Sequence, residues 1–230
     1  MTSIEMLVDR QLNRFSLRER AEADPPMQRS ATEANLRVIT ISRQAGSGGR
    51  TLARQVSDEL GYEFVDHQIL DYIAQNTGAR EKLLDSLDEK TRSGVELWVE
   101  GILRGRYIDQ MEYVHWLVKS VTAMAEHGNA IILGRGGNVI LGSRGGLHIR
   151  VVAPRDLRIA NLVNYRDMTI AEAKRTVDLS DDQRRSFHRE NFGTDIDDPQ
   201  GYHLVINTGN VGLECARKII LDLWHQRLCR

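Results

Sequence analysis

A β-branched run that empties into a glycine-rich loop and then a helix constrains this chain more than any other feature. Leu36-Arg37-Val38-Ile39-Thr40-Ile41 is short and mostly apolar, as a buried parallel strand should be. The loop Ser42-Arg43-Gln44-Ala45-Gly46-Ser47-Gly48-Gly49-Arg50-Thr51 follows it. Leu52, Ala53, Val56 and Leu60 then recur at helical spacing, and Gly61 stops the helix. Tyr62 to Val65 reads as a second strand, ending at Asp66. Strand, glycine loop, helix and strand make a βαβ unit.

The remaining pattern extends that unit. Residues 67–128 read as mostly helical, with Val114, Leu117, Val118, Val121 and Ala125 on one stripe. Ala130–Leu133 is a third strand and runs into Gly134-Arg135-Gly136-Gly137. Leu147–Val152 is a fourth, Pro154 opens a helix, and Thr169 with Glu172 is a capping box for another. His203–Asn207 is a fifth strand, before a helix carrying Leu213, Ala216, Ile220 and Leu223 on one face. Strands alternating with helices predict an α/β fold with a five-stranded parallel sheet covered on both faces. Residues 1–35 read as an appendage: a short amphipathic helix within Met1 to Glu22, presenting Ile4, Leu7, Val8, Leu12 and Phe15, then the linker Ala23-Asp24-Pro25-Pro26. A frayed tail and a docking or dimerisation arm remain open for it.

Composition narrows the functions. Lys plus Arg is 31 and Asp plus Glu is 32 in 230 residues, a balance without a polybasic tail for nucleic acid. Aromatic residues are 6%, too few for a base-stacking platform. Two cysteines, Cys215 and Cys229, make no disulfide framework, and Cys215 is expected in the core beside the last helix's apolar stripe. No apolar run is long enough to span a bilayer and no apolar h-region opens the chain, so a cytoplasmic protein without membrane or nucleic-acid partners is expected.

Nine of the 19 glycines fall in two clusters, and each cluster follows a strand. Ligands of open α/β sheets bind outside the carboxyl ends of strands. Glycines let backbone N–H groups turn inward, and with a helix N-terminus they form an anion cradle. Ala45, Gly46, Ser47, Gly48, Gly49, Arg50 and Thr51 are the candidate phosphate-binding residues. Against the pattern G-x-x-x-x-G-K-[ST], Gly49 and Thr51 match, Gln44 replaces the first glycine and Arg50 replaces the lysine. Thr51 supplies the hydroxyl that reaches a magnesium ion in that pattern.

Val38-Ile39-Thr40-Ile41-Ser42-Arg43-Gln44 with Gly46-Ser47-Gly48-Gly49-Arg50 resembles the cytidylate kinase-like family of P-loop proteins. Phe64-Val65-Asp66, Ile131-Ile132-Leu133-Gly134-Arg135-Gly136 and Asp198-Pro199 through Tyr202, Leu204-Val205-Ile206-Asn207-Thr208 carry the same resemblance over about residues 36–222. The resemblance implies a three-layer P-loop domain over 36–230, with 67–128 as a helical insertion near the acceptor and about 178–197 as an arginine-bearing lid. It implies ATP and Mg2+ as cofactors, with a nucleoside monophosphate, CMP or dCMP, as phosphoryl acceptor. Arg50, Arg135, Arg184, Arg185 and Arg189 are then the candidate catalytic cations, with Thr51 and Asp66 toward the metal. Helical pairing of Asp181 and Asp182 with Arg185 and Arg189, and an N-cap role for Asp66, are the structural alternatives.

The chain departs from cytidylate kinases where they carry Asp-Gly-Arg-Asp. Leu133 and Gly136 replace both carboxylates, and no acceptor arginine follows Asp66. Two further functions therefore stay open: a nucleotide-binding regulatory module with little or no transfer, and a kinase for another small-molecule acceptor. A homodimer is compatible with either.

Overall fold

The computed structural model of the protein describes residues 4–6, 8–10, 13, 36–87, 89–103 and 111–228. Five parallel strands form one sheet in the order β2-β3-β1-β4-β5. They are β1 (Val38–Arg43), β2 (Glu63–Val65), β3 (Ala130–Leu133), β4 (Leu147–Val152) and β5 (Leu204–Asn207). β1 lies centrally, with Ile41 beside Leu133 of β3 and Arg43 beside Val151 of β4. The sequence places Ser42 and Arg43 in the loop, but β1 extends through them. Pairing with Arg150 and Val151 of the six-residue β4 holds both in the ladder.

Alternate strand side chains enter separate cores, as a two-sided sheet requires. Ile39, Ile41, Ile131 and Leu133 pack on α1 (Gly49–Leu60) and α9 (Thr208–Leu228), against Leu52, Val56, Ile220 and Trp224. Val38, Val65, Ala130 and Ile132 face the helical layer. That layer contains α2 (His67–Gln75), α3 (Thr77–Asp85), α4 (Glu89–Leu103), α5 (Met111–His127) and the short α6 (Gly137–Leu141). Val8 is buried in this second core, and Asp9 pairs with Lys82 at 2.7 Å. Ile4 is half-buried, and the other apolar residues expected on the N-terminal arm, Leu7, Leu12 and Phe15, with the Pro25-Pro26 linker, lie outside the described residues.

α7 (Arg155–Arg166) and α8 (Ile170–Phe192) form a hairpin with its own small core of Ile159, Leu162, Ala173 and Val177. Thr169 and Glu172 make the reciprocal capping-box bonds that start α8. Cys215 is exposed, contrary to expectation. It stands one residue before buried Ala216, and a single helical step of about 100° turns it off the apolar stripe.

Candidate functional site

β1 has β3 on one side and β4 on the other, so the connections reverse direction across it. The crevice outside the carboxyl ends at such a switch point is where this architecture binds ligands. A cavity of about 460 Å³ opens there. Its walls are Ser42 and Arg43 from β1, His67 from α2, Gly134 and Arg135 from the turn after β3, and one face of α8 with Arg184, Phe187 and His188. Gly46 to Thr51 are not among the lining residues.

The glycine loop is shaped by tertiary contacts as well as by its glycines. The Gln44 N–H donates to the Val151 carbonyl at 3.0 Å, and its side-chain Oε1 accepts from the Ala153 N–H at 3.1 Å. Gly48, at φ 77°, caps α1 without a side chain. From α7, Asn161 donates to the Gly46 carbonyl at 2.8 Å and Arg158 to the Ala45 carbonyl at 3.3 Å. The Ala45 N–H donates in turn to Oδ1 of Asp181 on α8, at 3.2 Å. Asp181 is buried and pairs with Arg158 at 2.5 Å, so one amide of the cradle already holds a carboxylate. Thr51 is exposed in the first turn of α1.

Two of the candidate arginines are held by carboxylates on the segment after β2. Arg50 Nη2 donates to Asp66 Oδ2 at 2.5 Å, while Oδ1 of Asp66 accepts the Gln68 and Ile69 N–H groups and caps α2. Arg135 grips Asp71 bidentately, with Nε to Oδ1 at 2.6 Å and Nη2 to Oδ2. The Tyr113 hydroxyl donates to the same Oδ1 at 2.6 Å. Phe187 lies 5.2 Å from the Arg135 guanidinium, a cation–π contact that fixes its plane. Burial lowers the affinity of Arg135 for its proton, and its bonds to Asp71 more than offset that, leaving it firmly charged.

The arginines proposed for the lid part company. Arg184 enters the cavity wall and donates to the Arg43 carbonyl at 3.0 Å. Arg185 turns to Asp182 at 2.5 Å and to Asp197 at 3.8 Å, and Arg189 is exposed outside the cavity lining. Helix geometry explains the split: consecutive residues diverge by about 100°, so Arg184 and Arg185 cannot share a face.

Sequence reasoning misses three contributors. Arg43 is one letter of the loop motif in the sequence; in the structure its side chain lines the cavity. Burial, then the charges of Arg184, Arg135 and Arg50, lower its pKa to about 9 against the opposing charge of Asp66. His67 also lines the cavity, and its buried Nδ1 has no hydrogen-bond partner among the described residues. Burial, then the charge of Arg43, depresses its pKa. Asp71, which orients Arg135, completes the set. His67 and Asp71 are four residues apart on α2, a shared face visible in the sequence once α2 is known to point at the site.

The cluster is thus a cationic cavity with one wall of strand ends and one of α8, beside a glycine loop in which the Ala45 amide donates to the Asp181 carboxylate. A curated cytidylate kinase from Methanothermobacter thermautotrophicus is 28% identical over 183 residues, 78% of this chain and 99% of that protein. Among solved structures, an uncharacterized protein from Eubacterium ventriosum matches with a TM-score of 0.65 and 18% identity, covering 84% of this chain and 99% of its own. At that identity the likeness is one of fold. The sequence model for the cytidylate kinase-like family matches residues 38–210, running from β1 through the loop, the Arg135 turn and α8 into the start of α9. Every element that walls the cavity lies within that span, and the chain belongs to the cytidylate kinase-like family.

Proposed function

We propose that the protein transfers the γ-phosphoryl group of ATP to a nucleoside monophosphate, with CMP or dCMP the first acceptors to test. The observation that carries this reading is the convergence of Arg43, Arg135 and Arg184 on one cavity at the sheet's switch point. Three guanidiniums around one space need anions, and phosphoryl transfer is catalysed mainly by positioning and by neutralising charge on phosphate oxygens.

An acceptor phosphate oxygen is already anionic and needs no general base. It forms a bond to the γ-phosphorus as the bond to the β,γ-bridging oxygen breaks, and that electron pair leaves with ADP. Arg135, locked by Asp71 and Phe187, orients the acceptor phosphate. Arg184 closes the opposite wall and excludes water. The amides of Gly46 to Arg50 cradle the donor phosphates, and Arg50, held at Asp66, adds charge at the loop's edge. Arg185 and Arg189 have no part in this arrangement.

The residues present fit magnesium that arrives on the nucleotide. Asp66 Oδ1 accepts two N–H groups and Oδ2 accepts Arg50, leaving room for a hydrogen bond from a metal-bound water rather than direct coordination. Thr51 is exposed and available to the same outer shell. When bound, the metal supplies positive charge to the phosphate oxygens.

The test is a coupled assay of nucleoside diphosphate formation with ATP, magnesium and a panel of nucleoside monophosphates. The expected outcome is turnover on CMP or dCMP, with kcat/KM about 100-fold lower in Arg135→Ala. Leu133 favours a second reading. It is wholly buried and apolar at the end of β3, where cytidylate kinases carry a carboxylate. ATP binding that is indifferent to chelator, with no turnover on any nucleotide, would make the protein a binding module.

A further inference from the structure

Positions 43 and 49 face each other across the glycine loop, and their side chains compete for one space. A Cβ on Gly49 would lie 2.6 Å from the Cβ of Arg43 and 3.3 Å from its Cγ. Real Cβ atoms do not approach so closely, so only one of the two positions can carry a side chain. In the phosphate-loop pattern G-x-x-x-x-G-K, the first position is glycine and the seventh carries the cation. The sequence alone aligns this pattern with Gln44 first and Arg50 seventh. The structure, in which Gly48 caps α1, sets it one residue earlier, so that Arg43 stands first, Gly48 sixth and Gly49 seventh, and Thr51 falls one place past the pattern's hydroxyl. The glycine and the cation have exchanged places across a single contact.

The arginine's far end has a cleared space as well. A Cβ on Gly134 would lie 2.3 Å from Arg43 Nη1. Two glycines on separate elements therefore leave a channel for one side chain, with the stem over Gly49 and the head over Gly134. The guanidinium lies in the cavity wall with Arg184, Arg135 and Arg50 as its cationic neighbours and Asp66 as the one opposing charge. Among the described residues no carboxylate pairs with it, since Asp66 is taken by Arg50 and Asp71 by Arg135. A partly buried cation with three cationic neighbours, and with the nearby Asp66 already paired to Arg50, is left to be balanced by an anionic ligand.

We propose that Arg43 is the phosphate-contacting cation of this loop, transposed from the seventh position of the pattern to the first, with Gly49 and Gly134 kept as glycine to admit it. The ligand is a polyphosphate chain. Its identity as that of ATP rests on the phosphoryl-transfer reading, whereas the transposition does not. This register also moves the cation's role from Arg50, whose guanidinium is committed to Asp66.

Calorimetric titration with ATP and with inorganic triphosphate separates the two ideas, using wild type, Arg43→Gln, Arg43→Lys, Gly49→Lys and the reciprocal swap Arg43→Gly with Gly49→Lys. Melting curves confirm that each variant folds. Arg43→Gln should weaken both ligands at least tenfold, and Arg43→Lys should recover part of that loss. The reciprocal swap should bind more tightly than Arg43→Gln and than Gly49→Lys alone, because the lysine then has room. Wild-type affinity in Arg43→Gln overturns the transposition even if the wild type is an active kinase. Arg43-dependent triphosphate binding without turnover on any acceptor sustains it and sinks the kinase reading. A wild type that binds neither ligand overturns both.

Discussion

Asp66 serves two partners with separate oxygens. Oδ1 caps α2 through two backbone N–H groups, and Oδ2 holds Arg50. The contributions are separable because asparagine caps a helix about as well as aspartate does, while alanine does not. Arg50 remains 42% exposed, so its ion pair adds little to stability. Asp66→Asn should keep unfolding free energy within about 0.5 kcal/mol of wild type, whereas Asp66→Ala should cost about 1 kcal/mol. Urea unfolding of both variants checks this, and equal losses would contradict the division. The cap was readable from the sequence, since an aspartate stands directly before the helix. Its partner was not, because nothing local assigns a guanidinium sixteen positions earlier to it.

At the scale of elements, the glycine loop and the α7–α8 hairpin are one packed unit. Gly46 has φ 76°, and a Cβ there would meet the backbone carbonyl oxygen of Arg158 at 2.3 Å. Backbone cannot swing aside as a side-chain tip can. Gly61 shares the left-handed conformation, at φ 63°, yet a Cβ there would touch nothing within 4 Å. Gly61→Ala should therefore cost only the conformational penalty, about 1–2 kcal/mol. Gly46→Ala should cost clearly more and loosen α7 from the loop. Denaturant midpoints, with amide exchange at Arg158 and Asn161, measure both effects. Similar losses in the two variants would show that the loop tolerates separation from α7. The capping box at Thr169, the stop at Gly61 and the stripe of α1 are local signals, and they were legible. The docking of α8 through Asp181 and Arg184 was not, because helical periodicity says which residues share a face but not what that face meets.

Among the described residues, three histidines are held in their neutral form, His148 and His188 buried and His127 half-buried. His127, His148 and His188 are each depressed to about 4, chiefly by burial. They sit in different places: at the end of α5 against Ser86, against Thr40 of β1, and in the cavity wall. An unfolded chain protonates all three near pH 6.5, while the folded chain resists until about pH 4. Their stability contribution is thus complete above pH 6.5 and falls as the pH drops toward 4, at up to about 1.4 kcal/mol per pH unit for each. Between pH 6.5 and 5 this precedes most carboxylate protonation, so the melting temperature should already decline there. A flat melting temperature over that range would contradict neutral burial.

The α/β class, the parallel sheet and the positions of both glycine turns follow from the sequence by itself. Burial on a strand or helix recurs with a period that the order of apolar residues records directly. Which guanidiniums face the cavity was decided only by tertiary structure. Arg135 meets Asp71 across 64 positions and Arg184 meets Arg43 across 141. Charge acts through distance in space, and the fold alone sets that distance.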